Sequence, residues 1–380
     1  AVTAPIRSWG AGTNRSILMI PGPTELPWPV IQAMNQPPTI QYDLNFDLNV
    51  LEPTCRALRE IFQTSGEVIL MPGSGRTALE SATVSVVEPG DRVVVVVAGV
   101  FGLLMREIMS RVGAQVTEFT VEWGQPLDFA ALERTVERVK PKALTLVHNE
   151  TSTGTTYPAA EVGQIAKRAG TLFLLDTVSS LAGLDVQTDE WGVDLNMTGS
   201  QKCLAAPLGL ALVGVGPRAW EAMEHRSRRP SSLVYDLHLW RELWIPLSRG
   251  GKIPDGQRRT QPISIPTHLT AAMRAATDLI MEEGLSHRFV RHAVAGRAFR
   301  AGLDAMRLEL FPDPSVASDT VSCFKTPNGI EAGAVVRQMR DRYGILIGTG
   351  LDKIRATTLR VGHMGITASP QYILPTLSAL

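Results

Sequence analysis

Short apolar runs alternate with stretches of helical spacing between residues 67 and 216 of this 380-residue chain. The clearest runs are "DRVVVVV" (91–97), "TLFLLD" (171–176) and "LGLALVGVG" (208–216). Strands that are apolar on both faces occur in sheets that helices cover on both sides, and such sheets are mostly parallel. The pattern therefore predicts an α/β fold with a mostly parallel sheet at its centre.

The composition of the sequence changes between residues 225 and 262, where frequent arginine, glycine and proline residues predict irregular connections. A long helical stretch (267–306) follows, and short strands and two more helices (331–341 and 370–380) come after it. This order predicts a second, smaller α+β domain. The predicted divisions are an N-terminal arm (1–20), a large α/β domain (21–262) and a small C-terminal domain (263–380).

Charge and cysteine content narrow the classes of partner. The chain has 37 basic and 37 acidic residues, a balance that argues against a protein of nucleic acids or membrane surfaces. Its three cysteines form no CxxC pair, its seven histidines have no metal-ligand spacing, and its N-terminus has no apolar signal core. We therefore expect a soluble cytoplasmic protein without a bound metal, whose partners are small molecules and copies of the chain.

Glycine and polar residues follow several predicted strands, at the sheet edge where active sites of such folds lie. They are Gly73–Arg76, His148–Thr151 and Asp176. The first group belongs to "PGSGRTALE" (72–80), which matches the pattern G-x-G-x-x-A between a strand and a helix. Its N–H groups could hold a phosphate of a nicotinamide dinucleotide or of pyridoxal phosphate, or form a structural turn. An acid after the second strand would favour the dinucleotide, but "AGVFG" (98–102) has none.

Three charged residues each have a structural and a chemical interpretation. Asp176 could cap a helix over "TVSSLAG" (177–183), or it could face a protonated pyridine nitrogen. Lys202 could extend to solvent, or it could be a buried amine nucleophile with a lowered pKa. Arg360 could lie on the surface of an edge strand, or it could hold a substrate carboxylate while His363 orients it. Lys202 follows Asp176 by 26 residues, about one strand further along the sheet, which favours the chemical interpretation of both.

Six motifs in this order carry a resemblance to a known family. They are "LMIPGPTELP" (18–27), "PGSGRTALE" (72–80), "HNETSTG" (148–154), "LLDTVSSLAG" (174–183), "GSQKCLAAPLG" (199–209) and "LRVGHMG" (359–365). Together they resemble the class V aminotransferases, fold-type I pyridoxal-phosphate enzymes of the alanine/serine–glyoxylate group. The resemblance extends over about residues 16–380, and it implies a mostly parallel sheet of the seven-stranded type.

The resemblance also implies roles for individual residues. Lys202 would bond covalently to the cofactor, and Asp176 would pair with the ring nitrogen of pyridoxal 5′-phosphate. The other residues implied to contact the cofactor are Ser74, Gly75, Arg76, Phe101, Thr151, Val178, Gln201 and Thr260. The residues implied to lie near the substrate are Arg360, which would bind its carboxylate, and Pro21, Gly22 and Gln41. Thr260 would come from the other subunit, which implies a homodimer with shared sites.

The implied reaction is a ping-pong transfer of an amino group from a small donor to a small oxo-acid. Gln41, Arg76 and "VEWG" (121–124) resemble ureidoglycine–glyoxylate aminotransferases, whereas the stretches around Lys202 and His363 resemble pyridoxamine–pyruvate aminotransferase. The latter carries a glutamate where this chain has Ser74, so an ordinary phosphate site is expected here. Alanine, serine and ureidoglycine stay open as donors, and glyoxylate and pyruvate stay open as acceptors.

Alternatives from other classes stay open at this point. A nicotinamide-dependent oxidoreductase would use "PGSGRTALE" (72–80) but would leave Lys202 and its spacing from Asp176 unexplained. A non-catalytic cofactor-binding module is a further possibility. A cysteine desulfurase of the class V group would need a cysteine on a mobile loop, whereas Cys323 falls in a predicted strand. Gln257 replaces the tyrosine that the family usually has three residues before Thr260.

Overall fold

A seven-stranded sheet forms the centre of the fold in a computed structural model, which describes residues 16–37, 39–243 and 261–380. The strands within these residues are β1 (Ile17–Leu18), β2 (Glu67–Gly73), β3 (Arg92–Val97), β4 (Gln115–Thr120), β5 (Ala143–Val147), β6 (Asn149–Glu150), β7 (Thr155–Thr156), β8 (Leu172–Asp176), β9 (Leu195–Gly199), β10 (Gly209–Val215), β11 (Val321–Lys325), β12 (Ile345–Leu346), β13 (Gly348–Thr349) and β14 (Thr358–Gly362). The central sheet has the order β2–β10–β9–β8–β5–β3–β4.

Helices cover this sheet and build the C-terminal part of the chain. Within the described residues they are α1 (Trp28–Ala33), α2 (Leu44–Phe46), α3 (Glu52–Phe62), α4 (Gly75–Val86), α5 (Val100–Arg111), α6 (Phe129–Val139), α7 (Ala159–Arg168), α8 (Pro217–Glu224), α9 (Leu237–Leu243), α10 (Thr267–Glu283), α11 (Leu285–Ala305), α12 (Ala332–Tyr343) and α13 (Pro370–Ala379). A π-helical turn, Asp47–Leu51, joins α2 to α3. Asp128 caps α6, since its carboxylate accepts the N–H of Ala131 at 2.9 Å.

The direction of the strands confirms the mostly parallel sheet. β3 pairs in parallel with β4 and β5, β5 with β8, and β8 with β9, whereas β10 is antiparallel to both β9 and β2. Every residue of β5, β8 and β9 is buried, as expected for strands with helices on both faces. Val147 pairs with Asp176, so the carboxyl ends of β5 and β8 meet at one edge. The residues that follow these strands are therefore brought together there.

A smaller sheet lies in the C-terminal part of the chain, with the order β11–β14–β13. Its core contains Phe299 of α11 and Met339 of α12, and Met19 also packs there. β1 pairs in parallel with β12, from Ile17 opposite Ile345. The described part of the predicted N-terminal arm thus packs with the C-terminal region, and the predicted domain limits stay predictions.

Three local predictions differ from the structure. The helical stretch 267–306 is two helices, because Gly284 has a positive φ of 78° and separates α10 from α11. Residues 177–183 form turns instead of the helix that Asp176 could have capped. Helix α9 lies inside the segment predicted to be irregular. Among the described residues, no helix combines the length and the apolar character that a membrane crossing requires.

Candidate active site

A cavity of about 310 Å³ opens at the edge where the carboxyl ends of β5 and β8 meet. Nine of the residues predicted to contact the cofactor line it: Ser74, Gly75, Arg76, Phe101, Thr151, Asp176, Val178, Gln201 and Lys202. The tenth, Thr260, lies outside the described residues, as does Gln257. The fold therefore brings together, in one cavity, residues from loops that are up to 128 positions apart, from Ser74 to Lys202.

Lys202 is a buried lysine on the loop that leaves β9. Its side chain is 8% exposed, and its Nζ donates a hydrogen bond to the carbonyl oxygen of Pro21. Burial, and after it the positive charge of Arg360, together lower the pKa of Lys202 to about 8. Gly22 has a φ of +91°, and a Cβ atom there would lie 2.7 Å from Lys202 Cε. The backbone of Pro21 and Gly22 thus packs directly against the lysine, which does not extend to solvent.

Asp176 is the last residue of β8 and is also buried. Its Oδ1 accepts the N–H of Val178 at 2.8 Å. Burial raises the pKa of Asp176 to about 7, while the hydrogen bond from Val178 and the charge of Lys202 act in the opposite direction. A buried carboxyl with such a pKa is stabilised as the anion by any cation that enters the cavity.

The N-terminus of α4 forms another wall of the cavity. Gly75 is the first residue of this helix, and the first N–H groups of a helix have no partner within it. Gln201 approaches the same point: a Cβ atom on Gly199 would lie 2.7 Å from both Gln201 Oε1 and the Gly75 nitrogen. Gln201 Oε1 is buried and has no hydrogen-bond partner among the described residues. An anionic group here would meet the positive end of the helix, the exposed Arg76 and the side chain of Gln201, whose amide NH2 group is a donor.

These features fit pyridoxal 5′-phosphate. The helix N-terminus and Gln201 suit its phosphate, the buried Asp176 suits a protonated ring nitrogen, and Lys202 suits its aldehyde. Val178 and the half-buried Phe101 supply apolar surface between these polar groups. The same cavity thus provides chemically matching partners for the phosphate, the ring nitrogen and the aldehyde of this cofactor.

Arg360 lies on β14, close to the cavity. Its Nε donates to the carbonyl of Thr349 at 2.8 Å and its Nη1 donates to the carbonyl of Thr151 at 3.0 Å. Burial lowers the pKa of Arg360 from its usual value, yet a guanidinium keeps its charge in proteins. The two bonds hold the side chain in place and use two of its five N–H groups, which leaves others for a carboxylate.

Two predicted contacts are not seen. His363 does not orient Arg360: its ring bonds to Ser322 Oγ and to the carbonyl of Asp319, both at 3.0 Å. Gln41 does not line the cavity, and its amide donates to Ser264 Oγ at 2.8 Å. The predicted contact of Gln41 with substrate stays a prediction.

Sequence reasoning missed Glu150, although the motif that contains it was recognised. Glu150 is completely buried beside the cavity, where its carboxylate accepts hydrogen bonds from the N–H groups of Phe101 and Gly102 at 3.1 Å. Its position could be read from the sequence but its partners could not, since Glu150 follows the apolar strand β5 by three residues, at the same sheet edge as Asp176.

Comparison with known sequences places the chain among aminotransferases. The model of the family "Aminotransferase class-V" matches residues 20–239. The chain is 35% identical over 367 residues to an uncharacterized aminotransferase of Methanocaldococcus jannaschii, covering 96% of this chain and 92% of that protein. It is 32% identical over 382 residues to (S)-ureidoglycine–glyoxylate transaminase of Bacillus subtilis, covering 96% and 89% respectively.

Solved structures agree with this fold. The crystal structure of ureidoglycine-glyoxylate aminotransferase from Bacillus subtilis superposes with a TM-score of 0.91 at 32% identity, covering 98% of this chain and 93% of that one. Pyridoxamine-pyruvate aminotransferase from Mesorhizobium loti gives a TM-score of 0.89 at 26% identity, covering 98% and 92%. The fold is therefore that of pyridoxal-phosphate-dependent aminotransferases.

Proposed function

The chain belongs to the class V aminotransferase family, and we propose that within this family it moves the amino group of a small amino acid or amine to glyoxylate or pyruvate. It is an aminotransferase whose cofactor is pyridoxal 5′-phosphate. The observation that carries the proposal is that Lys202 and Asp176 line one cavity, while Arg360 lies beside it and donates to the carbonyl of Thr151 in its lining. A nicotinamide-dependent oxidoreductase would have no use for this combination.

Each wall of the cavity has a proposed part in holding the cofactor. Ser74, Gly75, Arg76 and Gln201 hold the phosphate at the start of α4, and Thr151 contacts the hydroxyl side. Asp176 keeps the ring nitrogen protonated, while Val178 and Phe101 hold the ring between them. Bound in this way, pyridoxal phosphate supplies an aromatic ring that takes up electrons from the α-carbon of the amino donor.

Lys202 is proposed to bond to the cofactor at rest and to transfer protons during the reaction. With a pKa of about 8, its Nζ is in the free amine form far more often at neutral pH than that of an exposed lysine. The free amine removes the proton from the α-carbon of the donor. The carbonyl of Pro21, which accepts a hydrogen bond from Nζ, keeps the amine directed to that side of the cavity.

Arg360 is proposed to bind the carboxylate of both the donor and the acceptor. Because the carbonyls of Thr349 and Thr151 hold its guanidinium, the carboxylate occupies the same position in both half-reactions. The donor and the acceptor can then use the same site in turn, because the product formed from the donor leaves before the acceptor enters. This order is a ping-pong cycle. The backbone of Pro21 and Gly22 against Lys202 leaves little space on this side and favours a short substrate.

The relatives support a small oxo-acid but differ in their substrates. The Bacillus subtilis relative acts on ureidoglycine and glyoxylate by its name, and the Mesorhizobium loti enzyme acts on pyridoxamine and pyruvate. A pyridoxamine–pyruvate reaction is therefore the second candidate function. Ser74, in place of the glutamate expected for that enzyme, favours a bound cofactor with its phosphate at α4.

We propose that the protein works as a homodimer with shared sites. Large apolar side chains are exposed in the segment around α1 and α2, including Trp28 (65%), Ile40 (61%) and Leu44 (59%). Leu208, which lines the cavity, is 55% exposed as well. Exposed apolar side chains of this kind suit contact with a second copy. Thr260, and with it Gln41, would then contribute to the site of the other subunit.

A cytoplasmic location is also proposed. Cys55, Cys203 and Cys323 are free and buried, which suits a reducing compartment.

Cys323 lies in β11, where burial raises the pKa of its thiol to about 12. It is therefore unsuited to the role that a cysteine desulfurase would require.

A panel of donors and acceptors tests the proposed reaction. The protein with pyridoxal phosphate is incubated with L-serine, ureidoglycine or pyridoxamine, each with glyoxylate or pyruvate, and with L-alanine and glyoxylate, and the glycine or alanine formed is quantified. We expect at least one amino-acid donor to yield glycine from glyoxylate, and we expect Lys202→Ala to yield none. Turnover only with pyridoxamine and pyruvate would favour the second candidate. No amino transfer with any pair would contradict the proposal.

A further inference from the structure

Glu150 is a buried carboxylate that the proposed reaction does not use. It is 0% exposed, on β6 just beyond the end of β5. Its Oε2 accepts the N–H groups of Phe101 and Gly102, both at 3.1 Å. Its Oε1 accepts the N–H of Ser152 at 3.1 Å and the hydroxyl of the same residue at 2.5 Å. All four partners are donors, so both oxygens are satisfied, and these hydrogen bonds favour the ionised form against burial, which raises the pKa of Glu150.

The partners of Glu150 show that it caps a helix from a distant segment. Phe101 and Gly102 belong to the first turn of α5, whose N–H groups have no partner within the helix. Ser152 Oγ accepts the N–H of Val100 at 2.9 Å and completes this cap. A negative charge at this end is also favoured by the helix dipole. The orientation of α5 at its N-terminus therefore depends on Glu150 and Ser152.

The backbone around α5 leaves room for this carboxylate. A Cβ atom on Gly99 would lie 2.5 Å from both Cγ and Cδ of Glu150, closer than packed atoms allow. The φ of Gly99 is 173°, extended backbone that any residue can adopt. Glycine at this position therefore serves the packing of Glu150 and not the course of the chain.

Glu150 is also connected to the substrate side of the cavity. Its neighbour Thr151 lines the cavity, and the carbonyl of Thr151 accepts the hydrogen bond from Arg360 Nη1. Phe101, whose N–H bonds to Glu150, lines the cavity from the other direction. The side chain of Glu150 thus holds the backbone of Phe101, which is proposed to flank the cofactor ring. It also belongs to the segment whose Thr151 carbonyl binds Arg360, the residue proposed to bind the substrate carboxylate.

We propose that Glu150 is a positioning residue for amino transfer, which sets the placement of Phe101 and of the Thr151–Arg360 pair by capping α5 from β6. The proposal rests on the proposed function, because it assigns Glu150 an effect on that reaction. Glu150 acts through its neighbours and touches neither cofactor nor substrate.

Three variants and one control test this role. Glu150→Ala removes the cap, Glu150→Gln keeps an oxygen that can accept from Phe101 and Gly102, and Gly99→Ala displaces the carboxylate without removing it. Asp128→Ala is the control, because it also removes a carboxylate that caps a helix, but at the exposed start of α6 and outside the cavity. For each protein we would measure the urea midpoint, the dissociation constant of pyridoxal phosphate, its visible circular dichroism when bound, and KM and kcat with glyoxylate.

We expect Glu150→Ala and Gly99→Ala to weaken cofactor binding by about tenfold, the effect of stranding buried donors, and to raise KM for glyoxylate. The visible circular dichroism should change, since it reports the orientation of the bound ring. Glu150→Gln should restore part of each loss, and Asp128→Ala should match the parent protein in all but stability.

The proposal is overturned if the folded Glu150→Ala and Gly99→Ala proteins differ from the parent only in their urea midpoints. If Glu150→Ala does not fold, Gly99→Ala and Glu150→Gln decide the question by the same measurements. A parent protein that forms no bond with pyridoxal phosphate would instead contradict the proposed function, so the two failures are distinguishable.

Discussion

Burial controls the acid–base behaviour of the residues around Lys202. The lysine is held near pKa 8 and Asp176 near pKa 7, so both groups change protonation close to neutral pH. In water their pKa values would lie far apart, and desolvation brings them together because it disfavours the charged form of each. This is the condition under which a lysine can accept and release protons during a reaction.

Asp176 should make the stability of the cofactor-free protein depend on pH. Its folded pKa of about 7 exceeds the unfolded value of 3.8, so its contribution is fully present at low pH and is lost as pH rises through 7. Asp176→Asn removes this loss and should raise the free energy of unfolding at pH 8 by on the order of 2–4 kcal/mol relative to the parent, with little change at pH 4. Urea unfolding without cofactor at both pH values measures this. An equal difference at pH 4 and pH 8 would argue against a buried, titrating Asp176.

Arg360 should affect substrate binding far more than cofactor binding. Arg360→Lys keeps a positive charge but loses the planar fork and the bonds to Thr349 and Thr151. The loss of charge-assisted bonds costs about 1.5–3 kcal/mol, roughly a 10- to 150-fold rise in KM for glyoxylate. Steady-state kinetics and a cofactor titration measure the two effects, and the exposed Arg355→Ala is the control. An unchanged KM would remove Arg360 from the substrate site.

At the scale of elements, a partly buried ion-pair network around the buried Arg288 joins the α10–α11 junction to the loop that carries Lys202. Arg288 donates to the carbonyls of Ala182 at 2.8 Å and Cys203 at 2.6 Å, and it forms an ion pair with Glu283 at 2.6 Å. Arg291 binds the same Glu283 at 2.6 Å. The turn at Gly284 makes this network possible, because it brings the end of α10 and the start of α11 together.

Replacing Arg288 should destabilise the whole protein. Arg288→Ala leaves two buried carbonyls and part of Glu283 without partners, which we expect to cost about 3–5 kcal/mol of unfolding free energy. Arg274→Ala is the matched control, since Arg274 pairs with Asp278 on the exposed side of α10 and should contribute less than about 1 kcal/mol. Urea unfolding of both variants measures the difference. Similar losses of unfolding free energy in the two variants would mean that Arg288 stabilises the protein no more than an exposed ion pair does.

The elements also show what the sequence could and could not predict. The apolar runs predicted the central sheet because burial on both faces leaves a direct signature in composition. The reversed direction of β10 had no such signature, since an apolar run looks the same in both directions. The break at Gly284 was missed because single glycines also occur inside helices. Glu150 was missed because its partners are backbone N–H groups of a helix 48 residues or more away, which no local pattern encodes.

At the scale of the whole molecule, the exposed apolar segment around α1 and α2 is the feature that a single chain leaves unexplained. Its side chains lie on the same chain segment as Gln41, the one predicted substrate residue that lies apart from the cavity. Association of two copies would bury this apolar surface and give Gln41 a place near a site. Both observations therefore favour the same assembly.

A charge in this segment should weaken association. Leu44→Glu places a carboxylate on a side chain that is 59% exposed in the single chain, and burying it in an interface would be unfavourable. Leu374→Glu is the control, because Leu374 is 61% exposed on α13, in the C-terminal part of the chain. Sedimentation velocity should give a dimer for the parent and for Leu374→Glu, and a shift towards monomer for Leu44→Glu. A parent protein that sediments as a monomer would contradict the shared site.

The visible absorption spectrum tests the central claim most directly. The parent protein and Lys202→Ala are loaded with pyridoxal phosphate, and spectra are taken before and after L-alanine, and again after glyoxylate. We predict a yellow band in the parent that fades with the amine and returns with the oxo-acid, and no such cycle in Lys202→Ala. A parent protein that stays colourless with pyridoxal phosphate, or a Lys202→Ala protein that completes the cycle, would contradict the account.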